Sequence, residues 1–106
     1  MRWRRAVERA LVGTGLTFTQ WLVLDALREL IAETRDAAIQ NEIAARVELD
    51  RGTTSLVMRT LEKKGFVDRA PDITGRALRI WLTDPAEVLL REQAAGIEAA
   101  SWGAER

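Results

Sequence analysis

Apolar residues recur at helical spacing in five stretches of the chain and alternate with polar ones in two. Trp3, Val7, Ala10 and Leu11 predict a short amphipathic helix over residues 2–12, with arginines on the remaining positions. Gly13-Thr14-Gly15 breaks it, and Thr17 or Thr19 offers an N-cap for a second helix reaching about Thr34. In that helix Leu24, Leu27 and Ile31 line one side, Val23 and Leu30 lie beside them, and Trp21, Asp25 and Arg28 form a strip opposite. Apolar cover wider than one face predicts a helix sandwiched between layers. Ile39, Ile43, Ala44 and Val47 give a third helix over residues 39–47.

The stretch from Leu49 to Gly65 organises the rest. As a helix from Gly52 to Lys64 it buries Thr54, Val57, Met58 and Leu61 and presents Gly52, Ser55, Leu56, Arg59 and Lys63. Asp50 is placed to cap it, because a carboxylate before the first turn accepts free backbone N–H groups and suits the positive dipole end. Gly65 stops it. Two short helices joined by a tight turn, the second with a polar outer face, form a helix-turn-helix. The turn lacks glycine, and Glu48 stands where one is most easily accommodated, so strain or a different turn type is expected there.

Phe66 to Ala70 predicts a strand, Pro71 to Gly75 a turn, and Ala77 to Leu82 a second strand with Leu78, Ile80 and Leu82 on one face. Trp81 points to the other face and needs cover from the C-terminal helix or a partner. Thr83 caps that final helix, with Pro85 in its first turn, where a missing N–H costs nothing. It carries Val88, Leu89, Ala95 and Ile97 before Gly96 and Gly103 weaken it, and Trp102 sits near its end. The expected fold is mostly α with a small β-hairpin wing. It is one domain over residues 1–106: an N-terminal helix in 1–15, a winged helix-turn-helix in 16–83 and a C-terminal helix in 84–106.

Charge refines this picture only slightly. The 16 basic and 16 acidic residues cancel, but by segment the net charge runs +1 over residues 1–38, +2 over 39–83 and −3 over 84–106. The mildly basic centre implies modest nonspecific affinity for nucleic acid. The chain has no cysteine and no histidine, which removes disulfides, thiol nucleophiles and the commonest general base and metal ligand. No catalytic grouping, metal site or cofactor is expected. No apolar run approaches the length of a membrane span, and Glu8 and Arg9 interrupt the run that follows the N-terminal arginines, so a cytoplasmic location is expected.

The outer face of the Leu49–Gly65 helix has the chemistry for entering the major groove of double-stranded DNA. The competing interpretation is a solvated surface, the ordinary fate of basic amphipathic faces. Arg76 on the hairpin tip is placed to enter the minor groove, where the potential is most negative when the groove is narrow. Trp21 either fills core or walls a small-molecule pocket together with Arg28. The terminal helices expose apolar stripes, which suggests a homodimer held by Trp3, Val7, Leu11, Leu89 and Trp102.

The order of elements and three runs of residues resemble a known family. LTFTQWLVLDAL, IQNEIAARVELDRGTTSLVMRTLEKKGFVDRAPD and GRALRIWLT resemble the winged helix-turn-helix of the multiple antibiotic resistance regulator (MarR) family over about Leu16 to Leu90. The resemblance implies a dimeric transcriptional regulator, expected to be a repressor, that binds a palindromic operator through paired recognition helices and wings. It also implies, as in many members, a small aromatic ligand that weakens DNA binding. By position Arg51, Thr53, Ser55 and Arg59 would face the groove or its phosphates and Arg76 would be the wing arginine; Leu56 and Lys63 complete the expected contact set, with Arg51, Lys63 and Arg76 on phosphates and Ser55, Leu56 and Arg59 on bases. The family's wing commonly carries Asp, any residue, then Arg, whereas here the aspartate position is Thr74. Leu56 stands where the family often has a basic or polar residue, and the terminal helices are shorter than is usual. The alternative reading is a winged-helix protein-interaction module that pairs with another regulator and antagonises it, with Trp3, Trp81 and Trp102 as interface anchors.

Overall fold

The computed structural model describes residues 2–105, with side chains from residue 3 to residue 96. In order the elements are α1 (Arg2–Ala10), α2 (Phe18–Thr34), β1 (Ala38–Ile39), α3 (Gln40–Val47), α4 (Arg51–Lys63), β2 (Val67–Pro71), β3 (Leu78–Leu82) and α5 (Asp84–Glu105). Local chemistry fixes most of the boundaries. Thr17 caps α2 reciprocally: its hydroxyl accepts from the Gln20 N–H at 3.1 Å, and the Gln20 amide oxygen accepts from the Thr17 N–H at 3.1 Å. Arg35 ends α2 in the left-handed region at φ 58°, and Gly65 turns the chain out of α4 at φ 80°.

The hairpin β2–β3 is antiparallel, pairing Val67 with Leu82 and Pro71 with Leu78. It gains a third strand that alternation along the chain did not predict. β1 pairs antiparallel with β3, Ala38 opposite Ile80, giving the sheet order β1-β3-β2. This strand ties the start of the helix-turn-helix to the inner strand of the wing.

The core sits where α2, α3, α4 and the sheet meet. Leu24, Leu27, Ile43, Met58, Leu61, Val67 and Ile80 are fully buried there. Thr54 is buried with them, its hydroxyl donating to the Asp50 carbonyl at 2.9 Å. A second layer forms where α1 lies on α5. Val7 and Leu11, expected at a dimer interface, are buried inside this protomer. Trp3 remains 48% exposed and stacks edge-on against Phe18 and Trp21, with ring centroids 5.7 and 5.8 Å apart. Such aromatic pairs are worth about 0.5–1.5 kcal/mol beyond the area they bury.

α5 departs from the expected pattern in two ways. Its inward face is Ala86, Leu90 and Gln93, leaving Val88 exposed and Leu89 half-buried. The helix also continues through Gly96, where an added Cβ would lie 3.8 Å from the Cβ of Ala10, in ordinary van der Waals contact. The side chain of Trp102 lies outside the described residues. Trp81 stays partly exposed, its ring covered on one side by the Arg79 guanidinium 5.4 Å from the centroid. Among the described residues no helix is long and apolar enough to cross a membrane.

Candidate nucleic-acid interface

α3 and α4 meet through a turn closed without glycine. Glu48 takes the left-handed conformation at φ 57°, and its N–H and that of Leu49 donate to the carbonyls of Ala45 and Ala44 at 3.3 and 3.0 Å. The chain then leaves α3 on Asp50, whose carboxylate caps α4. One oxygen accepts from the Thr53 N–H at 2.7 Å and the other from the Thr53 hydroxyl at 2.7 Å. These two hydrogen bonds hold the Asp50 carboxyl below its ordinary pKa. They also commit the one hydroxyl proton of Thr53 to the cap, so that residue faces outward chiefly as an acceptor.

The outward side of α4 is as the spacing predicts. Arg51, Arg59 and Lys63 are exposed, Ser55 is half-buried and Leu56 is 63% exposed. Among the described residues neither these three cations nor Arg76 makes a salt bridge, whereas Arg28, Arg46, Arg69 and Arg79 each hold a carboxylate. The α4 face thus keeps three free cations together, although Arg5, Arg9, Arg35 and Arg91 also lack a carboxylate among the described residues. Lys64, just past the helix, turns back instead: its ammonium donates to the Gly15 carbonyl and the Gln20 side chain, anchoring the end of α4 to the α1–α2 turn.

The wing tip is braced by its own side chains. One oxygen of the Asp72 carboxylate accepts from the Thr74 N–H at 3.0 Å and the Thr74 hydroxyl at 2.6 Å. The Thr74 oxygen in turn accepts from the Arg76 N–H at 3.2 Å. The Asp72 N–H donates to the Ala77 carbonyl at 2.9 Å, and Gly75 takes φ 73°. Thr74 thus stands in for the expected aspartate by fixing the backbone of Arg76, leaving its guanidinium free. The Thr74 hydroxyl is the main reason the Asp72 carboxyl lies below its ordinary pKa.

Arg69 was not among the residues expected to matter. It lies on the inner face of β2, opposite the fully buried Ile80, with only 15% of its side chain exposed. Its signal was a charged residue at an inward position of a strand, outweighed by the more obvious cations of α4.

Trp21 and Arg28 do not share a pocket. Trp21 is buried in the cluster with Trp3 and Phe18. Arg28 borders a cleft of about 270 Å³ between α2, β3 and α5, lined also by Ile31, Ala32, Leu82, Glu87 and Arg91. Arg28 is held by Asp25 at 2.7 Å.

The MarR family model matches residues 16–74, the stretch from the start of α2 to the wing tip. A Bacillus subtilis protein described as an HTH-type transcriptional regulator, YdcH, is 35% identical over 68 residues, which is 64% of this chain and 46% of that protein. The chain therefore spans about half the length of that relative. Among solved structures, CouR from Rhodococcus jostii RHA1 bound to p-coumaroyl-CoA is 30% identical, with a TM-score of 0.74 over 92% of this chain and 65% of that one. MOSR of M. tuberculosis in complex with DNA is 26% identical, with a TM-score of 0.71 over 87% of this chain and 63% of that one.

Proposed function

Because this chain belongs to the MarR family, we propose that it is a transcriptional regulator that binds double-stranded DNA sequence-specifically as a homodimer and acts as a cytoplasmic repressor. The observation that carries this reading is the pairing of an exposed, uncompensated α4 face with a braced tip that leaves Arg76 free. α4 enters the major groove, and the wing lays Arg76 along the adjacent minor groove. Arg51, Lys63 and Arg76 neutralise phosphates and set the register, while Ser55, Leu56 and Arg59 meet base edges. Leu56 is suited to a thymine methyl group, the one apolar feature of the major-groove code. Thr53 supports the site as the partner of the Asp50 cap and offers lone pairs rather than a proton. In the dimer, Trp3, Leu89 and Trp102 are the anchors, with Val7 and Leu11 backing them from inside the protomer.

Ligand control follows from the cleft between α2, β3 and α5. Its apolar walls suit a small aromatic ligand, and Arg91 offers a guanidinium to an anionic group on it, against the Glu87 carboxylate in the same lining and with Arg28 already held by Asp25. A ligand wedged there separates α5 from the α2–sheet layer and shifts the spacing of the two reading heads, weakening DNA binding. An Arg91→Ala protein should keep its DNA affinity and lose its response to such ligands. Unchanged ligand release would sink this part of the reading.

The test of base reading is Arg59→Ala, measured by fluorescence anisotropy on a selected operator and on random duplex. If Arg59 meets a guanine edge, the operator complex weakens by about 1–3 kcal/mol and the random complex much less. Equal losses on both duplexes would make Arg59 a phosphate contact.

A further inference from the structure

Arg69 joins three elements that must move as one if a wing and a reading helix are to grip the same duplex. Its guanidinium donates to the Gln40 amide oxygen, in the first turn of α3, at 3.3 Å. It also donates to the Glu62 carboxylate, in the last turn of α4, at 3.1 Å. The residue itself sits on β2, the outer strand of the wing. Glu62 is 42% exposed and Arg69 only 15%, so the pair lies at the edge of the core, where its hydrogen bonds are partly shielded from water. Among the described residues the buried Arg69 Nε finds no partner. Burying that one N–H unpaired costs free energy, and a plain apolar residue beside Ile80 would be cheaper. Stability alone therefore does not account for an arginine here.

We propose that Arg69 is a positioning residue: by clamping Glu62 of α4 and Gln40 of α3 to the wing strand, it sets the angle at which the hairpin presents Arg76 to DNA. The planar fork of arginine suits this role, because it fixes direction as well as distance to its two partners. Tip and clamp are separate devices. The Asp72–Thr74–Arg76 bonds fix the shape of the tip, and Arg69 fixes where the whole hairpin points. A lysine could hold one partner but not both in a plane, so Arg69→Lys is a partial substitute at best.

The proposal rests on the DNA-binding reading, and a double-mutant cycle separates the two. Binding to a mixed-sequence duplex at low salt is compared for the wild type, Arg76→Ala, Glu62→Ala and the double variant. Glu62 is partly exposed, so its replacement spares the core; Arg69→Gln is the second probe of the clamp. Amide hydrogen exchange is recorded on each protein without DNA. With the clamp intact, Arg76→Ala weakens binding about tenfold, the size of one lost charge-assisted contact. In the Glu62→Ala background the same change costs less than about twofold, because a misdirected wing no longer delivers Arg76. Exchange in Glu62→Ala and in Arg69→Gln rises in residues 67–82 and not in α2. Equal costs of Arg76→Ala in both backgrounds would overturn the proposal. If the wild type binds no duplex, the DNA reading fails, and exchange still decides the clamp: faster exchange confined to the hairpin supports it, and unchanged exchange overturns it.

Discussion

Asp50 shows how a single side chain serves both fold and surface. Its carboxylate takes the Thr53 N–H and hydroxyl at the start of α4 and is held below its ordinary pKa of 3.8 by those bonds. A carboxyl depressed in the folded state adds stability that is fully present above its unfolded pKa and is lost as the pH falls through the folded value. Asp50→Ala should therefore unfold at lower urea than the wild type at neutral pH. The gap between the two proteins should close as the pH falls below 3.8. A gap that persists unchanged in acid would mean that the cap acts through something other than the ionised carboxylate. The cap was legible in the sequence because a carboxylate next to the first turn acts over three residues. The fate of the Thr53 hydroxyl was not, since the same residue type at the same place suits a DNA contact equally well. Val7 and Leu11 were misplaced for a related reason: an apolar stripe announces that it is covered, and α5 of the same chain covers it here.

At the scale of elements, the turn between α3 and α4 is set by sterics. Glu48 holds φ 57°, where a side chain costs about 1–2 kcal/mol that glycine avoids, less the larger entropy that glycine loses on folding. Glu48→Gly should stabilise the protein by up to about 1 kcal/mol in urea denaturation. A loss of stability would show that the turn draws on the Glu48 side chain. Helix periodicity located all five helices, because each carries an apolar face several turns long or a capped start. It did not locate β1, since Ala38 and Ile39 are too few to alternate, and only pairing with β3 makes them a strand. Nor did it foresee that α5 runs through Gly96 despite the poor helix propensity of glycine; an added Cβ there would meet Ala10 only in ordinary contact, so no close approach demands the glycine. The wing arginine was legible from its place on the hairpin. The clamp at Arg69 was not, because its partners lie 29 and 7 residues away in the chain.

For the whole molecule, zero net charge and a DNA-binding role are compatible because the charges are unevenly spent. Carboxylates neutralise Arg28, Arg46 and Arg79 on α2, α3 and the sheet, while among the described residues Arg51, Arg59 and Lys63 on α4 and Arg76 on the wing tip stay exposed and unpaired, as do Arg5, Arg9, Arg35 and Arg91 elsewhere. Few cations give each protomer only a modest affinity and a shallow salt dependence, and the proposed dimer would strengthen both by doubling the contacts, so operator symmetry should mirror protein symmetry. The most direct test is selection from a random duplex library at low salt, with the wild type and with Arg76→Ala. A palindromic consensus enriched by the wild type, and lost or much weakened with Arg76→Ala, is the predicted result. No enrichment by either protein would contradict a sequence-reading regulator.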